Sequence, residues 1–206
     1  TPERRATIAR TLLDYLRREL CVRVNYLEPV EQERIRLLSD QYLIAPWSLI
    51  AEDRLDRSAT VYGRSRSDGA EPEPHQIFLS PRGGFGLYLK RKDVLGADGP
   101  LTTDDVGTVI TDLLRLLAIP GILVLTDPPR TTTAVPGYQV AASALVWRAG
   151  TGASAFHDPI RVPAAPEDGL RANRFFQEFY RSDAAELRRL HAREHTAQVP
   201  SRERED

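Results

Sequence analysis

The segment from 102 to 118 constrains this chain more than any other. Val106, Val109, Ile110, Leu113, Leu114 and Leu117 fall at i, i+3, i+4, i+7, i+8 and i+11, which is one apolar stripe along an α-helix. Thr102 or Thr103 caps this helix, Asp104 and Asp105 sit at its positive end, and Pro120-Gly121 stops it. An apolar run, Ile122-Leu123-Val124-Leu125, then reads as a buried strand. A loop from Asp127-Pro128-Pro129 to Pro136-Gly137 leads into a second strand, Tyr138 to Trp147.

Upstream, Thr1-Pro2-Glu3 is a helix start, with a capping hydroxyl, proline at the first position and an acid in the first turn. Ile8, Leu12, Leu13, Leu16 and Leu20 give the following helix a broad apolar face. A second helix is predicted from near Pro29 to Tyr42, carrying Ile35, Leu38 and Tyr42, and ending at Ala45-Pro46-Trp47. Residues 51–75 read as an exposed loop that includes Arg64 and Arg66. Gln76-Ile77-Phe78-Leu79 and Phe85-Gly86-Leu87-Tyr88-Leu89 flank Ser80-Pro81-Arg82-Gly83-Gly84 and are predicted as a β-hairpin. The fold class expected is therefore α+β. Helix, strand, loop, strand is the order in which a winged-helix module ends, so residues 1–150 are expected to form a winged-helix-like domain. Glycines and prolines in 151–167 suggest a linker. Residues 168–206 are expected to be a helical extension, with an aromatic stripe of Ala172, Phe175, Phe176, Phe179 and Tyr180.

With 206 residues the chain is long enough to bury a real core. Its 28 basic residues meet 29 acidic ones, and the net charge of −1 excludes a globally basic nucleic-acid coat but not a local basic patch. Only Lys90 and Lys92 are lysines, so the other 26 basic residues are arginines. A GC-rich genome explains that bias more simply than phosphate binding does. Cys21 is alone and cannot form an internal disulfide, which suits a reducing cytoplasm. No apolar run reaches the roughly 20 residues of a membrane span, and the charged, helical start does not read as a signal peptide. The absence of methionine and the charged final run lead us to expect a fragment of a longer protein.

Catalytic signatures are sparse. His191-Ala192-Arg193-Glu194-His195 fits the H-x-x-E-H pattern of inverted zinc peptidases. It lacks an evident third ligand, and a helix end whose cations meet the negative dipole is the simpler reading. There is no Walker phosphate loop, no dinucleotide-binding glycine motif in context and no nucleophile elbow. Cys21 reads as a core residue, and Asp104 and Asp105 read as dipole partners. No catalytic residue, metal ligand or cofactor is expected within the segment.

The predicted hairpin is the strongest binding candidate. Arg82 in its turn and Lys90, Arg91 and Lys92 at its end gather cations, with Arg64 and Arg66 able to add to the same surface. Gly83, Gly84 and Gly86 allow close backbone approach to a phosphate, and Phe85 and Tyr88 offer stacking faces. The competing reading is a solvated hairpin whose aromatics fill the core. The 102–118 helix sets three aspartates against Arg115 alone, which makes it a poor reader of base edges.

Near the end, Arg193-Glu194-His195-Thr196-Ala197-Gln198-Val199-Pro200 and Ser201-Arg202-Glu203-Arg204-Glu205 resemble the early second motor lobe of bacterial superfamily 2 DEAD/DEAH-box helicases. The relevant members are large actinobacterial proteins with a DUF1998-like region, some associated with phage defence. Gly137-Tyr138-Gln139-Val140, Leu145 to Gly150 and Asn173 to Tyr180 resemble the stretch before that point. The resemblance implies an accessory region between two RecA-like lobes plus the start of the second lobe. It implies a parent that binds ATP and Mg²⁺ and moves on single-stranded or forked DNA, with no catalytic motif in this segment. The alternative class is a protein-interaction or scaffold module with no nucleic-acid contact.

Overall fold

A computed structural model describes residues 1–44, 47–50, 53, 56–64, 75–96, 99–129, 134–148, 155–164 and 173–181. Two compact units divide the chain: Thr1–Ala149 with His157–Ala165, and Gly150–Phe156 with Pro166–Asp206. The architecture is mixed α and β.

The first unit opens with α1, Pro2–Arg18, whose Thr1 hydroxyl accepts from the Arg4 N–H at 3.4 Å. Ile8, Leu12 and Leu16 are its buried stripe. The chain leaves α1 through Leu20, in the left-handed region at φ 55°, and enters β1, Val22–Arg23. Helix α2 spans Pro29–Tyr42 and begins with proline, as the sequence suggests. Strands β2, Thr60–Tyr62, and β3, Gln76–Phe78, run parallel to each other. A short helix α3, Gly84–Leu89, and the long α4, Thr103–Ala118, follow. Strands β4, Leu123–Asp127, and β5, Gly137–Ala141, pair antiparallel.

Among the described residues the five strands make one mixed sheet, and β5 is its hub. Its Val140 and Ala141 pair in parallel with β1, while Gly137 and Tyr138 pair antiparallel with β2. Its other edge carries β4. Side chains alternate across such strands. Val22, Val61, Leu123 and Val140 enter the core with Leu12, Leu16, Phe85, Leu89, Ile110 and Leu114 from the helices. Arg23, Thr60, Tyr62 and Gln139, one position away, belong to the opposite face.

Several expectations need correction. Phe85–Leu89 is a helix and not the second arm of a hairpin. Phe85, Tyr88 and Leu89 are buried and stand at i, i+3 and i+4, so a helical turn puts all three into the core at once. Gln76–Phe78 instead pairs with Thr60–Tyr62, a strand inside the stretch read as loop. The strand predicted from Tyr138 to Trp147 ends at Ala141, where a 3₁₀ turn, Ala142–Ala144, takes over.

Residues 157–164, within the stretch read as linker, are held by the first unit. Arg18 donates to Asp158 at 2.8 Å, Arg161 to Glu19 at 2.8 Å, and Arg91 to the carbonyls of Pro159 and Pro163 at 3.0 and 2.9 Å. In the second unit the described element is α5, Arg174–Arg181, where Phe175 and Phe179 stack with ring centroids 6.3 Å apart.

Candidate functional site

Two surfaces of the first unit gather exposed cations and polar groups. One surrounds α3. Gly86 lies so close to the Ser80–Pro81 backbone that an added Cβ would stand 2.5 Å from its carbonyl atoms. This contact fixes the Ser80–Gly83 turn against α3, with the Gly83 N–H donating to the Ser80 carbonyl at 3.0 Å. Arg82 is exposed on that turn, Lys90 caps the C-terminal end of α3, and Lys92 is exposed just beyond. Among the described residues, the side chains of these three make no ion pair or hydrogen bond.

Arg91 differs from them. It holds Asp93 with two hydrogen bonds of 3.1 and 2.8 Å, donates to Pro159 and Pro163, and lies 5.8 Å from the Tyr88 ring centroid. Its guanidinium is occupied within the unit, tying the 157–164 segment to α3. The stacking partners foreseen at this surface, Phe85 and Tyr88, are 4% and 5% exposed and stack on each other in the core. Arg64 is exposed but has a partner of its own. Arg66 lies outside the described residues.

The other surface is the polar face of the sheet, which sequence reasoning missed. A cavity of about 430 Å³ opens there, lined by Arg23 of β1, Glu28 and Pro29 at the start of α2, Arg57 and Ser58, Thr60 and Tyr62 of β2, His75 and Gln76, Thr126 and Gln139. Gln139 is 6% exposed. Its amide nitrogen donates to the Ala59 carbonyl at 3.0 Å and reaches Thr60 Oγ1 at 3.5 Å. Its amide oxygen has no partner among the described residues. Tyr62 donates to Asp127 at 2.9 Å. His75 stands in the left-handed region at φ 71°, held by the Thr60 N–H donating to its carbonyl at 2.8 Å. Arg23 and Arg57 are exposed, and neither guanidinium has a partner among the described residues. These residues lie as far apart in the chain as 23 and 139, so no local motif could have announced them.

Groups elsewhere behave structurally. Cys21 is fully buried, its thiol donates to the Tyr138 carbonyl at 3.4 Å, and burial pushes its pKa up to about 12. Asp105 closes a capping box with Thr102, whose hydrogen bonds hold its carboxyl below the ordinary range. The described residues contain no group of three or more His, Cys, Asp or Glu placed to hold a metal, and no helix long and apolar enough to cross a membrane. His191, Glu194 and His195 lie outside the described residues.

No protein-family model matches the chain, and neither a curated protein nor a solved structure matches it.

Proposed function

We propose that the chain is a non-catalytic accessory module that positions nucleic-acid backbone within a larger ATP-dependent DNA helicase. The observation that carries the backbone contact is the cluster of Arg82, Lys90 and Lys92 around the tightly closed Ser80–Gly83 turn, all three without acidic partners among the described residues. Three unpaired cations beside a glycine-rich turn suit phosphate contact without base reading. Arg91 has a different part, fixing the scaffold that presents them. The helicase setting rests on the sequence resemblance near the C-terminal end. In that setting ATP and Mg²⁺ belong to the parent's RecA-like lobes, and the location is cytoplasmic. We also propose that α4, β4, the 128–136 connection and β5 form a winged-helix-like part, because they follow in the expected order and the two strands pair antiparallel.

The test is binding of the chain to forked DNA across a salt series. On single strands each lost phosphate contact flattens the log K against log salt slope by about 0.7, so the triple variant R82A/K90A/K92A should flatten it by about 2. An unchanged slope, or no binding at low salt, removes the reading.

One observation favours the second reading, a protein-interaction module. Helix α2 and the residues after it expose Val30 at 84%, Ile44 at 82%, Trp47 at 78%, Tyr42 at 72% and Leu37 at 63%. Apolar side chains in that number commonly mark contact surfaces. If this reading holds, L37E/W47E abolishes association with a protein partner and leaves the DNA salt slope untouched.

A further inference from the structure

We infer that the cavity on the polar sheet face binds one nucleotide unit, with its phosphate at Arg23 and Arg57 and its base edge against Gln139. The cavity lies on the sheet face opposite the core, whereas Arg82, Lys90 and Lys92 flank α3 on the core side. The two surfaces are separate, and this inference does not rest on the backbone contact proposed above.

Three observations lead to this ligand. The first is charge. Arg23 and Arg57 line the cavity with free guanidinium forks against a single acid, Glu28. Planar guanidinium groups are suited to bidentate phosphate contact. The second is the start of α2, which borders the cavity through Glu28 and Pro29, with no side chain capping its N-terminal N–H groups. A helix start favours an anion. The third, independent of the other two, is the Gln139 amide. Its nitrogen is spent on Ala59 and Thr60, so the oxygen is an acceptor only, on a side chain that is 6% exposed. That oxygen is not sealed from solvent, so it is an acceptor available to a ligand in the cavity. The exocyclic amine of adenine or cytosine supplies a donor for it. The volume of about 430 Å³ lies in the lower part of the range of small-molecule sites, roughly 300–1,000 Å³.

The experiment is calorimetric titration of the full chain with AMP, adenosine, inorganic phosphate and purine riboside 5′-monophosphate, which lacks the amine. AMP should bind at least about tenfold tighter than adenosine or phosphate alone, and several-fold tighter than the amine-free analogue. Arg23→Ala and Arg57→Ala, both at exposed positions, should each weaken AMP about tenfold and leave adenosine unchanged. Wild-type melting temperatures of both variants would show that the fold is intact. R82A/K90A/K92A should bind AMP as the parent chain does. Competition of AMP by a 5′-phosphorylated oligonucleotide would assign a strand end as the natural source, and lack of competition a free nucleotide. AMP binding that is absent, or equal in the two arginine variants, overturns the inference. Phosphate binding as tightly as AMP overturns the base contact.

Discussion

At the residue scale, burial and hydrogen bonding decide what each polar group does. Cys21 has a thiol whose pKa is pushed up to about 12 by burial, with no base beside it among the described residues. A thiol reagent at pH 8 should leave it unmodified in the folded chain and react fully after denaturation, as mass spectrometry would read. Arg91 looks in the sequence like the centre of a basic run, yet it joins Asp93, Pro159 and Pro163. Arg91→Ala should cost about 1–3 kcal/mol by thermal melting, because charge-assisted hydrogen bonds to two carbonyls vanish. Hydrogen exchange should quicken across 157–164 in the same variant. Asp158 is 11% exposed. Burial raises its pKa, but hydrogen bonds from Arg18 and from the Arg161 and Ile160 N–H groups, with the Arg18 charge, outweigh burial and hold it below the ordinary value. A folded pKa below the unfolded value of about 3.9 gives stability that is complete above about pH 4 and lost as pH falls further. Asp158→Asn should therefore lower the melting temperature at pH 7, and the gap from the parent chain should close below about pH 4.

At the element scale, α3 shows where local signals mislead. Three glycines within Gly83–Gly86 argue against a helix by propensity, and an apolar run of five residues fits a strand equally well. What selects the helix is tertiary: Phe85, Tyr88 and Leu89 reach the core together, and Gly86 accepts the Ser80–Pro81 backbone against it. Gly86→Ala should destabilise the unit by about 1–3 kcal/mol, measured by denaturant melts, since the contact is with backbone that cannot rotate away. The long helices α1 and α4 were legible because each carries a capping residue, a dipole-matched first turn and a sustained apolar stripe. Strand β2 was not, because three residues of strand carry too little pattern to stand out from loop, and β3, read as a strand, was therefore given Phe85–Leu89 as its partner in place of β2. The exposed cations near α3 could be listed from the sequence, but which one is consumed by structure depends on Pro159 and Pro163, some 70 residues away.

At the scale of the whole molecule, the first unit runs past residue 149 to recruit His157–Ala165. A chain of residues 1–165 should melt cooperatively at the temperature of the parent's first transition. One ending at 149 should melt lower, because it lacks the Arg18–Asp158 and Arg91–Pro159 contacts. The polar sheet face was invisible in the sequence for a related reason. Its residues meet only when β1, β2 and β5 are joined, and no stretch of chain contains more than a few of them. That joining has a temporal side. Strands β1, β2 and β3 leave the ribosome long before β5, yet β5 is the seam that unites β1 with β2. Until residue 141 emerges, β1 and the β2–β3 pair have no common partner, so the sheet can close only when this five-residue segment arrives, although most of the unit has by then been made.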